Sequence, residues 1–291
     1  MTVHPDPFLA VSDRIRSITS SWANGMTLAE IRTSFDGFLG GDFAADRLEI
    51  FDLEGLPASW IGNGPERTIF YLHGGGFQIG SLRSHAGLTT RIASAANARV
   101  LAVDYRLAPE HRFPAAHDDA FSAYRWLTAS GIVPDAIMGD SAGGALALAT
   151  AVRARDAGLP LPRAIMLLSP WLDLSLSGDS YASLAEADIF SKPAQLHAMA
   201  KTYIGRNGDP SDPSVSPLFA PLDGLPPMLV HAGACDITLD DARLLEKRVN
   251  DAGGAITLRI FDRMCHHFQV FAELPETAQS LSEIGAFFDR L

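Results

Sequence analysis

The run Ile137-Met138-Gly139-Asp140-Ser141-Ala142-Gly143-Gly144 decides how this chain is read. An apolar stretch, Ala136 to Met138, stops at Gly139, and an alanine- and leucine-rich segment continues from Ala145 to Arg155. That is the pattern of a strand, a sharp turn and a helix with a serine at the apex. Gly139-x-Ser141-x-Gly143 matches the nucleophile elbow, a strained turn that lifts a serine hydroxyl clear of a sheet. Glycines flank the serine because a side chain there would collide with the strand and helix packed beneath. The helix that follows turns its unpaired N–H groups and positive dipole end toward an oxygen that would become negative. Alone, the five-residue pattern also fits a glycine-rich strand–helix turn without chemistry. The rest of the chain must supply the partners.

Length and composition narrow the field. The chain has 291 residues, 47% hydrophobic and 20% charged, which suits one large α/β domain with an insertion. The net charge of −11, with no basic cluster, argues against a nucleic-acid partner. Cys235 and Cys265 are the only cysteines. They imply no disulfide framework and fit a reducing, cytoplasmic compartment. Met1 to Arg16 holds Pro5, Pro7 and several charges, with no apolar core of signal-peptide length. Ala142 to Val152 is the longest nearly apolar run. It is too short for a bilayer and reads as a buried helix, so no membrane partner is expected.

Outward from the serine, strands and helices alternate. Thr68–Leu72, Val100–Val103, Ala164–Leu168 and Met228–His231 are short apolar strands, and Ala255–Phe261 alternates like one. Ser84–Ala96, Pro114–Thr128, Leu239–Ala252 and Glu276–Leu291 have helical patterning. An antiparallel hairpin is expected over Asp46–Phe51 and Leu56–Ile61, turning at Glu54-Gly55. The alternation predicts a mostly parallel sheet covered on both faces. Residues 1–42 are helical in pattern, with Thr27 and Glu30 as a capping box. Residues 175–216 lack a core strand but contain a helix, Lys192–Ile204. These two segments are expected to form a cap over the strand ends of a single domain spanning 1–291.

Acyl transfer needs a nucleophile, a base, a group to orient the base and donors for the tetrahedral oxyanion. Ser141 is the nucleophile. His73-Gly74-Gly75-Gly76-Phe77 follows the strand ending at Leu72, and its glycines let backbone N–H groups face a ligand. With the N–H after the serine, this makes Gly75, Gly76 and Ala142 the oxyanion donors. A phosphate-binding loop is the competing reading, but no P-loop Lys-Ser/Thr follows and the spacing is not Gly-x-Gly-x-x-Gly. Asp236 and His266 follow the serine in the order acid, then histidine, each just past a strand. Strand ends on that edge are where sites in open α/β sheets form. Asp240 and Asp241 fall inside the next helix and are expected to be a solvated first turn. The remaining histidines (His4, His85, His111, His117, His197 and His231) show no metal-ligand spacing, so no metal is expected.

Several blocks together resemble the bacterial esterase branch of the hormone-sensitive lipase family. They are His73–Phe77, Tyr105–Ala116, Gly139–Gly144, Ser169-Pro170-Trp171-Leu172-Asp173 and Ser216-Pro217-Leu218, in order, over about Thr68 to Phe268. The resemblance implies an α/β-hydrolase fold with an eight-stranded sheet, a helical cap, and ester hydrolysis without a cofactor. It carries the triad onto Ser141, Asp236 and His266, and the oxyanion donors onto Gly75, Gly76 and Ala142. It makes Tyr105–Ala116 a scaffold loop. The family usually has a small or aliphatic residue after its histidine, where this chain has His267; Phe268 matches the family's following aromatic and selects His266.

The expected activity is hydrolysis of small-molecule esters of short to medium acyl chains. An amidase or deacetylase would use the same triad. A non-catalytic receptor on the same scaffold, like the plant gibberellin receptors, would lack the histidine. Phe77, Trp22, Phe35, Phe38, Phe190 and Met199 are the expected pocket residues. His267 is expected to pack under the cap or face solvent. The Ala255–Phe261 strand, if a sheet edge, would favour a homodimer.

Overall fold

Thr68-Ile69-Phe70-Tyr71-Leu72 is apolar at nearly every position, and such a strand needs cover on both faces. In the computed structural model, which describes residues 6–23, 25–40, 48–64 and 67–291, it is β3 (Arg67–Leu72), a central strand. His4 and parts of the expected cap and first hairpin strand lie outside the described residues. The other strands are β1 (Ile50–Leu53), β2 (Leu56–Ile61), β4 (Ala98–Val103), β5 (Ala136–Asp140), β6 (Ala164–Leu168), β7 (Met228–Gly233) and β8 (Ile256–Phe261). They form one sheet in the order β1-β2-β4-β3-β5-β6-β7-β8. β1 and β2 pair antiparallel, as do β2 and β4, and every later pair is parallel.

Successive side chains of a strand point to opposite faces, and two apolar clusters follow that rule. Phe70, Leu72, Ile137, Ile165 and Leu167 join one, together with α4 (Ala115–Ala129), α5 (Ala142–Asp156) and α8 (Leu239–Asp251). Ile69, Tyr71, Met138, Ala164 and Met166 join the other, with α1 (Pro7–Ala23), α2 (Leu28–Gly40), α3 (Leu82–Ala95) and α9 (Pro275–Phe288). The insertion carries α6 (Ser180–Ser183) and α7 (Pro193–Ile204). Leu196, Ala200 and Tyr203 of α7 are buried in the first cluster. No helix among the described residues is long and apolar enough to cross a membrane.

Two local details agree with the sequence and two differ. Thr27 and Glu30 form the reciprocal capping box: the Thr27 N–H donates to Glu30 Oε2 at 2.7 Å, and the Glu30 N–H donates to Thr27 Oγ1 at 3.3 Å. Glu54 and Gly55 both have positive φ, 52° and 92°, as a two-residue hairpin turn requires. The first hairpin strand, however, begins at Ile50 and runs on to Leu53, because the tight turn pairs Leu53 directly with Leu56. Asp241 is not solvated. It is buried, and its Oδ2 accepts the N–H groups of Leu172 (2.7 Å) and Asp173 (2.9 Å) and the Tyr181 hydroxyl (2.9 Å). Helical patterning places Asp241 in the first turn of α8 but cannot reveal that a loop 69 residues earlier lies across it.

Candidate active site

The chain order of the sheet reverses about β3, with β4 on one side and β5 on the other. The crevice at such a switch point is where open α/β sheets bind ligands. The glycine loop leaves β3 there and the serine turn leaves β5.

Ser141 sits at φ 50°, ψ −122°, a conformation an L-residue holds only when its surroundings enforce it. Backbone bonds enforce it here. The Ser141 N–H donates to the Leu168 carbonyl at 3.0 Å, while the Ser141 carbonyl accepts from Gly144 (2.9 Å) and Trp171 (3.1 Å). Both flanking glycines are sterically required. A Cβ on Gly139 would overlap the Gly143 carbonyl, and one on Gly143 would overlap the carbonyls of Leu72 and His73.

His266 Nε2 lies 2.8 Å from Ser141 Oγ, and His266 Nδ1 lies 2.9 Å from Asp236 Oδ1. Asp236 Oδ1 is steadied by the N–H and hydroxyl of Thr238, at 2.8 and 2.9 Å. All three side chains are buried. Burial opposes charge on both members of the pair, but each offsets that penalty for the other. The Asp236 carboxyl is held below its usual range, and His266 is raised to about 9 despite its burial, chiefly by Asp236.

Opposite the histidine, Gly75 and Gly76 have φ of 120° and 60°. Among the described residues the N–H groups of Gly75, Gly76 and Ala142 donate to no protein acceptor. Three unspent donors thus stand beside the Ser141 turn. Tyr105, from the conspicuous Tyr105–Ala116 block, donates its hydroxyl to the His73 carbonyl at 2.6 Å and stacks on the His73 ring at 4.2 Å.

Asp140, beneath the turn, is more than a local support. Its Oδ1 accepts from the Tyr71 hydroxyl (2.5 Å) and the Gly74 N–H (3.0 Å), which ties the serine turn to the glycine loop. Its Oδ2 faces His85 Nε2 at 3.3 Å and His267 Nε2 at 3.1 Å, the latter close but not aligned as a hydrogen bond. His267 does not face solvent: it lines the Ser141 cavity under the cap, one of the two places expected for it, and also reaches Asp140. At φ 56° its backbone turns the ring down toward Asp140 and against His85, with 5.4 Å between ring centroids. Burial lowers His267 to about 3, so it stays neutral through the physiological range.

The cavity over Ser141 has a volume of about 40 Å³. Trp22, Phe35, Phe190 and Met199 line it with Gly75, Gly76 and His266, as the sequence suggests for those four aromatic or thioether residues. Two expected pocket residues lie elsewhere. Phe77, at φ 61°, turns into the core and stacks on Tyr203 at 4.1 Å. Phe38 packs behind Trp22 (6.5 Å) and against Phe271 (5.9 Å). Ile79, Ser191, Gln195 and Leu196 line the cavity unforeseen. Met199 covers the glycine loop closely: a Cβ on Gly76 would collide with its sulfur. Cys235 and Cys265 are free thiols, and burial raises both, so neither presents a ready thiolate.

A family model described as the alpha/beta hydrolase fold matches residues 69–270. This chain belongs to that α/β hydrolase family. It is 41% identical to an acetyl-hydrolase of Streptomyces hygroscopicus over 224 residues, 76% of this chain and 75% of that one. It is 40% identical to an esterase of Acinetobacter venetianus over 224 residues, 76% and 74% of the two chains. The crystal structure of an esterase from the bacterial hormone-sensitive lipase family superposes with a TM-score of 0.89 at 40% identity, covering 96% of this chain and 97% of the other. The chain is thus an α/β hydrolase of the bacterial hormone-sensitive lipase branch.

Proposed function

We propose that this α/β hydrolase is a carboxylesterase that cleaves short-chain acyl esters through an acyl-serine. Relatives named esterase and acetyl-hydrolase support ester hydrolysis. The observation that carries the mechanism is the unbroken line from Asp236 through His266 to Ser141, facing three unspent N–H groups. In this reading Ser141 Oγ attacks the ester carbonyl carbon as His266 Nε2 takes its proton. Gly75, Gly76 and Ala142 stabilise the oxyanion, where losing one donor costs about 3–4 kcal/mol of barrier. His266 then protonates the leaving alcohol. Water, activated by the same nitrogen, attacks the acyl-serine and releases the acid. Asp236 fixes the tautomer with Nδ1–H directed at itself and steadies the imidazolium.

The cavity argues for the short end of the acyl range. The cavity is narrow, and Met199 and Phe190 bound it, so a longer acyl chain would have to displace them. In this reading α1, α2 and residues 175–216 serve as the cap of a single-domain enzyme. Two free thiols favour a reducing, cytoplasmic setting, and the β8 edge favours a homodimer. A series of p-nitrophenyl esters from acetate to decanoate tests the reading. Turnover should be greatest for acetate or propionate and absent in Ser141→Ala; faster cleavage of matched anilides than of esters would overturn it.

A further inference from the structure

A second carboxylate stands beside the His266–Asp236 pair. Asp188, in the turn before α7, is wholly buried. Its Oδ1 accepts the N–H groups of Phe190 (2.8 Å) and Ser191 (3.1 Å), a side-chain-closed turn that an asparagine could also make. Its Oδ2 does something the turn does not need. It accepts the N–H of Ile237 at 3.0 Å, in another loop, one residue after Asp236. One oxygen of Asp188, one of Asp236 and one ring nitrogen of His266 lie within 4.8 Å of one another.

We propose that Asp188 is a positioning residue for the hydrolytic reaction: it anchors the Asp236 loop through Ile237 and adds a second negative charge to the field that stabilises protonated His266. This rests on the reading of His266 as general base. The insertion would then be coupled directly to the triad, since the residue that turns the chain into α7 also holds the acid loop.

The surroundings leave that charge little competition. Asp236 bonds Nδ1, and Thr238 Oγ1 lies 3.5 Å from the same nitrogen. Asp140 acts from beneath the serine turn, and its field also favours the imidazolium. The adjacent His267 is neutral, and the Phe190 ring stands 6.4 Å away. The Cys235 and Cys265 thiols are protonated. Lys192 is near, but its ammonium bonds the carbonyls of Ala185 and Asp188 and not the carboxylate. Burial, and then Asp236, push the Asp188 carboxyl up to about 6, so it is charged from neutral pH upward.

The test follows the rate of Ser141 labelling by diisopropyl fluorophosphate, and kcat/KM for p-nitrophenyl acetate, from about pH 5 to about pH 10. Asp188→Asn keeps size and the local turn but removes the charge. Its acid limb should move to lower pH by about one unit, a roughly tenfold rate change at fixed pH below the limb. Asp188→Glu should leave the limb near its parent position. A purely structural role would lower the rate of the Asn variant without moving the limb, and an unmoved limb overturns the proposal. If the Asn variant does not fold, His266 is titrated by NMR in Asp236→Asn, where Asp188 remains. Adding Asp188→Ser to that variant should lower the His266 value, and an unchanged value overturns the proposal, because burial and Asp140 are the same in both. Labelling without ester cleavage by the parent would sink the esterase reading alone, because the labelling profile still reports the histidine.

Discussion

At the scale of single residues, the proposed mechanism depends on which protonation state His266 holds. A general base must be neutral, and the Asp236 carboxylate raises His266 above the ordinary histidine value, to about 9. Activity should therefore climb as pH rises, with its limb on the alkaline side of about 6.5. A pH–kcat/KM profile that is flat from pH 6 upward would contradict this. The neighbouring histidine should behave differently. His266→Ala should abolish both turnover and fluorophosphonate labelling of Ser141. His267→Ala should keep labelling but lose about 2–5 kcal/mol of stability, because it removes a buried ring packed against His85 and leaves a cavity. Equilibrium urea unfolding and a labelling gel separate the two outcomes. In the proposed reading Met199 limits the length of the acyl chain. Met199→Ala should raise the hexanoate-to-acetate ratio of kcat/KM several-fold, since each buried methylene is worth about 0.8 kcal/mol. An unchanged ratio would show that the acyl chain does not lie under α7.

At the scale of elements, α2 is tied to the glycine loop by one side chain. Arg32 donates to the Gln78 carbonyl at 2.8 Å and the Ala108 carbonyl at 3.0 Å, and makes a two-point contact with Glu110 at 2.8 Å for each bond. Trp22 and Phe35 close the cavity from the same side. Deleting residues 1–38 removes all of these groups. Turnover should fall for every ester, and most for longer ones, with the core still folded by circular dichroism. A truncated protein with the parent chain-length profile would remove α1 and α2 from the site. Farther from the serine, Asp241 holds the loop after β6. Asp241→Ala leaves the Leu172 and Asp173 N–H groups buried without acceptors, a cost of about 2–4 kcal/mol. The midpoint of urea unfolding reports it.

At the scale of the whole molecule, β8 is an edge strand with Ile260 exposed, and its outer backbone groups have no sheet partner among the described residues. Arg259 and Glu283 pair nearby at 3.0 Å, one of the charged devices by which edges are protected. The homodimer reading predicts a mass near twice the chain's 31.2 kDa by light scattering at micromolar concentration. A monomer under those conditions would reject it.

How far the sequence reaches depends on the distance over which each feature is decided. The elbow, the glycine loop and the parallel sheet are legible because their causes are local: glycines where a Cβ cannot fit, apolar runs of strand length, and a Ser–Asp–His order along the chain. The capping box at Thr27 and Glu30 is legible for the same reason. Three things are decided only by tertiary packing. Phe77 looks like a pocket residue from its place in the motif, yet its positive φ sends the ring to Tyr203 in α7. Asp241 looks solvated by helical position, yet the loop after β6 lies across it. Asp188 shows nothing in sequence beyond a turn before a helix, yet folding brings its carboxylate beside Asp236 and His266. Backbone propensity and hydrophobic period describe one element at a time. A buried carboxylate acquires its role from whichever N–H groups and charges other elements bring against it, and that is settled only when the chain has folded.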